Sequence, residues 1–446
     1  MITTSEAAER LEVSRSRVLE LIKNGQLDAE KHSGVWFVDE SSVEMRVRSV
    51  RKKGGRPPRG SGNDEVSFTF MNRTHELSDV VYNRKLREFT FIDGIIDEQR
   101  APVGLANASG SISPIDFNTW WRNRGIPGAR IGVQELLRQA GVNVPEELLM
   151  RNLGLSLSDQ YWIRPKQSGL HWEDVNFFNN DFDEVDERTD GFVESVKTAH
   201  AHPDNTSDGN LEKCWLVRNG VRMLRKGSRY NGQEPYNEVV ATILHGKLLS
   251  EGEYVPYVLD GVGSSAWSLC PDFLTDEEEY VPAMYVMRLR DQLGHENDFD
   301  HYVSCCEQLG ARQARESLYR LIVCDDIIAN SDRHFRNFGI VRNVETLECR
   351  PAPLFDSGSS LWCDVDFAEL SKGKFSFTSK QFESNPARQL LLVEDFSWFD
   401  AGRLDGFVDE ALETLAANDM LEKRLPYIRA ALQRRIERIV DIAEWS

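Results

Sequence analysis

The sequence predicts an α+β protein in three parts: a small winged helix-turn-helix module, a basic linker, and a large body whose mixed α/β lobe precedes a mainly helical one. Three observations predict it. The stretch "RKKGGRPPRGSGND" (51–64) is rich in Gly, Pro and positive charge and has no apolar periodicity, which sets residues 1–50 apart. Those fifty residues read as two short capped helices and a hairpin. Beyond the linker, strand-like and helix-like runs alternate to about residue 280, and helical patterning then dominates to Ser446. A length of 446 residues favours two to four compact units over a single core. The expected division is 1–50, a linker over 51–65, an N-terminal subdomain with the first lobe over 66–270, and a helical lobe over 271–446.

In the first part, Thr3 and Glu6 have capping-box spacing, and Ala7, Ala8 and Leu11 form one apolar stripe. A tight turn containing Val13 follows. Ser14 then caps a second helix that turns Val18, Leu21 and Ile22 inward and leaves Arg15, Arg17 and Lys23 outward. "GQLDAEKHSGVWFVDESS" reads as a two-stranded wing turning at Ser33–Gly34. This is a helix-turn-helix with a wing, in which Arg15, Arg17 and Lys23 face a major groove. "TTSEAAERLEVSRSRVLELIKNGQL" resembles the excisionase and MerR-type DNA-binding module. That resemblance implies DNA as a partner of residues 1–50 and a homodimer reading two half-sites.

Charge sharpens the division. The chain carries a formal charge of −19, which excludes a protein coated evenly for nucleic acid. Residues 1–60 hold 12 Lys and Arg against 9 Asp and Glu, a net of +3 that leaves −22 for the other 386 residues. A hydrophobic content of 40% with ten tryptophans excludes global disorder. No window approaches 18 consecutive apolar residues, and "MITTSEAAER" lacks a signal region, so a cytoplasmic protein without a membrane partner is expected. Seven cysteines without repeated Cys-x-x-Cys spacing read as reduced thiols, with Cys305 and Cys306 as buried filling.

Between 66 and 190, "VSFTFMN" and "EFTFID" read as strands, and "VQELLRQAG" and "PEELLMRN" as helices. "LGLSLSDQYWIRP" (153–165) reads as packing. "HAH" (200–202) reads as an exposed connector, and "TDEEEY" (275–280) as a solvated helix start.

The chemistry concentrates in "IIANSDRHFRNFGIVRN" (327–343). Asp332 and Asn337 stand five apart between apolar runs, and Asp356 follows in "APLFDSGSS". Phosphoryl transfer from MgATP needs three such oxygen groups: a carboxylate that orients the attacking hydroxyl and takes its proton, plus a carboxamide and a second carboxylate for Mg²⁺. A helix-end polar network and a metal site using His334 with Asp332 are the competing readings of the loop. The metal site lacks a second histidine at ligand spacing.

A protein handling ATP must also hold its phosphates, and the upstream sequence has the means. "TSDGN" (206–210) offers a loop whose backbone N–H groups in Ser207, Asp208, Gly209 and Asn210 cradle phosphate. "KCWLVRNGVRMLRKG" is a hairpin turning at Asn219–Gly220 with Lys226 at the end of its second strand. Glu238, in a helix beginning near Pro235, is placed to pair with Lys226, whereas Glu234 is expected to precede that helix.

"NSDRHFRNFG", "LFDSGSS", the glycine-containing loop, the strand lysine and "EPYNEVVA" together resemble the HipA-like serine/threonine kinases, the toxin family of bacterial toxin–antitoxin systems, over roughly residues 66–446. The resemblance implies a bilobal protein-kinase-like fold using ATP and Mg²⁺. It makes Asp332 the catalytic base with His334 supporting its loop, assigns Mg²⁺ to Asn337 and Asp356, and sets Lys226 on phosphate. It places the hinge in "SSAWSLCPDF" (264–273), offers Ser207 and then Thr206 for autophosphorylation, and implies a protein substrate such as a translation factor or aminoacyl-tRNA synthetase. A lipid or small-molecule phosphotransferase and a nucleotide-binding transcriptional regulator without turnover are the alternative classes.

Overall fold

The computed structural model describes residues 2–11, 18, 22, 27, 29–32, 35–39, 43, 64–106, 110–128, 130, 133–180, 202–206 and 211–445. Arg15, Arg17, Lys23, the linker through residue 63 and the loop residues Ser207, Asp208, Gly209 and Asn210 lie outside them. The chain divides into two compact units, Met1–Asp64 and Glu65–Ser446.

In the first unit, strand β1 (Ile2–Thr3) leads into helix α1 (Thr4–Arg10). The capping box forms: Thr3 N donates to Glu6 Oε2 at 2.7 Å, and Glu6 N donates to Thr3 Oγ1 at 3.2 Å. The wing strands β2 (Ala29–His32) and β3 (Val35–Val38) pair antiparallel. A third strand, unforeseen from the sequence, completes the sheet as β1 pairs with β3. Ala7, Ala8, Val18, Ile22, Leu27, Val38 and Val43 form the core.

The second unit opens with a four-stranded antiparallel sheet, ordered β6-β5-β4-β7, from β4 (Glu65–Asn72), β5 (His75–Asn83), β6 (Glu88–Ile92) and β7 (Tyr161–Pro165). Helix α2 (Pro114–Asn123) starts on a Ser113 cap with proline in its first turn, and it covers one sheet face. Phe117 meets Phe70 and Phe89 edge to face, each at 5.0 Å. Asn118 closes the seam by bonding both the N–H and the C=O of Phe89 at 2.8 Å. Helices α3 (Val133–Ala140) and α4 (Pro145–Arg151) follow where the sequence predicts them. The packing role read for 153–165 also holds, because Leu155, Leu157, Tyr161, Trp162 and Ile163 are buried.

Next comes the hairpin of β8 (Lys213–Arg218) and β9 (Val221–Lys226), turning through Asn219 and Gly220, both at positive φ. Strands β10 (Val258–Asp260) and β11 (Trp267–Pro271) extend it into the sheet β10-β11-β9-β8, backed by helix α5 (Gln233–Leu248). The second lobe holds β12 (Glu278–Pro282), α6 (Asp298–Gln308), α7 (Ala314–Ile327), β13 (Gly339–Asn343), β14 (Cys349–Pro351), α8 (Phe407–Ala416) and α9 (Leu425–Trp445). Cys305 and Cys306 are buried in it, as read from the sequence. No described helix is long and apolar enough to cross a membrane.

Two expectations fail. "TDEEEY" does not start a solvated helix: Glu278–Pro282 is strand β12, paired with β13, and Glu279 is buried against Arg342. Nor is His202 exposed, since its backbone N–H and C=O both bond the side chain of Asn152, at 3.3 and 2.8 Å. In both cases a distant partner overrides the local composition.

Candidate active site

A cleft of about 670 Å³ gathers residues from both lobes, among them Lys226, Glu234, Tyr257, Asp272, Asp332, His334, Asn337, Asp356 and Lys380.

Its first wall is built by α5. This helix begins at Gln233, after Gly232 at φ 72°, where a Cβ would strike the carbonyl of Ser264. It presents a buried polar face of Gln233, Glu234, Asn237 and Glu238. Glu238 Oε1 accepts from Lys226 Nζ, and Oε2 accepts from Ser357 N at 2.9 Å. The expected lysine–glutamate pair therefore forms. Glu234, against expectation, lies inside the helix's first turn, and it caps the loop before α5 by accepting from Ser228 Oγ and from Arg229 N at 2.9 Å. Asn237 Nδ2 donates to the carbonyls of Gly358 and Ser360, both at 2.8 Å. Gln233 and Asn237 were missed in the sequence; their spacing of four, which puts both on the helix face that carries Glu234 and Glu238, was the available signal.

Lys226 Nζ also bonds Asp356 Oδ1 and lies 5.2 Å from the ring centre of Tyr257. Burial works against the ammonium's charge, but the two carboxylates outweigh it and hold its pKa above the ordinary lysine value. Burial likewise opposes the charge of Asp356, and Lys226, with Lys213 and Arg333 further off, overcomes it and holds the carboxyl below its ordinary range. Asp356 sits at φ 57°, a strained conformation for a non-glycine residue.

The second wall is the loop after α7. Asn337 Nδ2 donates to the carbonyl of Asp332 at 2.9 Å, leaving Oδ1 as a free acceptor among the described residues. Asn330 Oδ1 accepts from Asp332 N at 3.2 Å, and His334 Nδ1 faces Arg336 N at 3.3 Å, so both side chains are engaged within the loop. Arg333 is fully buried. Its Nε and Nη2 donate to Asp325 at 2.8 and 3.0 Å, Nη2 also to Ser357 Oγ at 3.0 Å, and Nη1 to the carbonyls of Asn337, at 2.9 Å, and Phe355. This guanidinium ties the two predicted metal-ligand segments together. Arg336 donates to Asn123 Oδ1 at 2.9 Å. The carboxylate of Asp332 is 38% exposed and pairs with Lys380 Nζ at 2.6 Å. Asp325 and Lys380 were both unread in the sequence.

Of the hinge segment, residues 267–271 are strand β11, and Asp272, Phe273 and Leu274 beyond it line the cleft. Phe273 stacks on Phe355 at 5.4 Å. Thr206 lines the cleft too, but its buried hydroxyl donates to the carbonyl of Pro203 at 3.1 Å. Carboxylate, carboxamide and paired lysine thus meet in one cleft.

Residues 1–51 match the family model described as a helix-turn-helix domain. No curated protein matches the chain. Among solved structures, the Helicobacter pylori proinflammatory kinase CtkA matches at 18% identity and TM-score 0.40, over 52% of this chain and 94% of that one. HipA of the Shewanella oneidensis toxin–antitoxin system, solved with HipB and operator DNA, matches at 14% identity and TM-score 0.51, over 84% of this chain and 99% of that one. At such identity the likeness is one of fold, so the chain joins a helix-turn-helix domain to a body with the HipA fold.

Proposed function

We propose that the chain is an ATP-dependent protein kinase that phosphorylates serine or threonine, with residues 1–50 binding DNA, as a homodimer, for autoregulation. One observation carries the kinase reading: Lys226 is buried between Glu238 and Asp356 in the same cleft as Asp332 and Asn337. A buried ammonium so held is a fixed charge for the α- and β-phosphates of ATP. Asp332, exposed to an incoming side chain, takes the proton of the attacking hydroxyl. As that O–H bond breaks, oxygen bonds the γ-phosphorus and the bond to ADP breaks. Asn337 Oδ1 and the second oxygen of Asp356, neither hydrogen-bonded among the described residues, are hard donors that suit Mg²⁺. When bound, Mg²⁺ neutralises phosphate charge.

Residues 271–274 would hold adenine and 207–210 the phosphates. Ser207 remains the first choice for autophosphorylation, because Thr206 requires its turn to open. With the DNA-binding part in the same chain, the protein fits a toxin of a toxin–antitoxin system that carries its own operator reader. The same reading puts it in the cytoplasm, acting on a protein such as a translation factor or aminoacyl-tRNA synthetase.

The test is incubation of the full chain with MgATP labelled in the γ-phosphate, followed by phosphosite mapping on the chain and on cell lysate. Label on protein serine or threonine, abolished in Asp332→Asn, is expected. Label in an organic-soluble product, or undiminished transfer by Asp332→Asn, overturns the reading.

A further inference from the structure

The cation bonded to Asp332 comes from neither the catalytic loop nor the strand lysine. Lys380 follows the Asp-Ser-Gly turn at a distance in sequence, yet its Nζ lies 2.6 Å from Asp332 Oδ1, and both side chains line the cleft. An ordinary surface pair of this kind contributes little and holds no fixed geometry. This one has a built support. Ser379 is buried, and its N–H donates to the carbonyl of Ser384 at 3.1 Å. Gln381 is buried too: its Nε2 donates to Asp325 Oδ2 at 2.7 Å, and its Oε1 accepts from Gln389 at 2.6 Å. Phe382 packs edge to face on Phe299, Phe335 and Phe338 at 5.3–5.7 Å. Asp325 simultaneously holds Asn330 and Arg333, so one buried carboxylate fixes both the loop that carries Asp332 and the segment that carries Lys380.

Arg229 and Lys213 also line the cleft, but among the cations nearest the catalytic loop three are already engaged. Arg333 is spent on Asp325 and on three backbone and side-chain oxygens, Arg336 reaches Asn123, and Lys226 lies between Glu238 and Asp356. The γ-phosphoryl group must nevertheless pass beside Asp332, where charge spreads over its oxygens as the bond to ADP breaks.

On the kinase reading above, we propose that Lys380 is a catalytic residue of the transfer, its ammonium bridging Asp332 and the γ-phosphate as the hydroxyl attacks. The hydroxyl proton goes to Asp332, the new oxygen–phosphorus bond forms, and the electron pair of the broken bond leaves with ADP. Lys380 keeps its protons and donates hydrogen bonds to both partners.

The test uses the full chain as Lys380→Met, Lys380→Arg and Asp332→Asn. Three readouts are taken: ADP release from MgATP with dephosphorylated casein as acceptor, calorimetric binding of the non-hydrolysable analogue adenylyl imidodiphosphate, and the thermal midpoint. Loss of one donor to developing charge predicts that Lys380→Met lowers kcat about 10²-fold, while KM and analogue affinity stay within about threefold. Lys380→Arg recovers much of the loss, and the midpoint does not move. A Lys380→Met chain as active as wild type, or more active because a latch was removed, overturns this proposal alone if Asp332→Asn is dead. A wild-type chain that turns over no ATP overturns the kinase reading and this proposal together.

Discussion

At the scale of single residues, two buried groups carry predictions independent of any substrate. Arg333 neutralises Asp325 where neither touches solvent, and it also satisfies carbonyls on both sides of the site. Arg333→Met leaves an uncompensated buried carboxylate and should lower unfolding stability by about 3–5 kcal/mol, read as a shift in the urea midpoint. A shift as small as that of a surface substitution would sink the account. Asp272 is the second case. Burial pushes its carboxyl up to about 7 against the pull of the Leu274 N–H and of Arg222, and Oδ2 accepts no hydrogen bond among the described residues. The native state therefore binds this proton more tightly than the unfolded chain does. The contribution to stability is fully present below the unfolded value of 3.8 and is lost as pH rises through about 7. Asp272→Asn keeps the shape and removes that slope, so its midpoint relative to wild type should rise between pH 5 and pH 8 without nucleotide. Parallel pH curves for the two chains would refute this.

At the scale of elements, legibility followed the range of the forces involved. The Asn219–Gly220 hairpin and the Thr3–Glu6 capping box are local chemistry, and the sequence shows both. Strand β12 is not local: "DEEEY" has the composition of a solvated surface, and it becomes a strand because Glu279 pairs across the ladder with Arg342, which also bonds Tyr161 at 2.7 Å. No spacing rule announces a partner so far along the chain. The same holds for the site. Asp332, Asn337, Asp356, Lys226 and Glu238 were readable because each sits in a short motif. Asp325 and Lys380 were not, because what selects them is a contact between segments. Burial outweighs Arg342 and leaves the Glu279 carboxyl above its ordinary value, so the pair is costly to bury and costlier to break. Glu279→Ala should destabilise by about 3–5 kcal/mol, whereas the double change Glu279→Leu with Arg342→Met should cost clearly less. Urea unfolding of the three chains decides it; a double variant worse than the single one would refute the argument.

At the scale of the whole molecule, positive charge and the candidate active site belong to different parts of the chain. Residues 1–60 carry a net +3 and the remainder −22, and the division into two compact units falls at Asp64. The strongly acidic remainder makes a poor phosphate binder, so DNA affinity should reside in the small basic unit and its linker. A contact set of this kind releases counterions, so binding to the DNA upstream of the gene should weaken by orders of magnitude between about 50 and 200 mM salt. Gel shifts with the full chain and with a chain beginning at Asp64 test this directly. The shorter chain should lose the shift and keep its turnover of MgATP, because Lys226, Glu238, Asp332, Asn337, Asp356 and Lys380 all lie within Glu65–Ser446. Full DNA affinity in the shorter chain would remove the DNA-binding role from residues 1–50, while loss of both activities would show that the cleft needs the small unit to work.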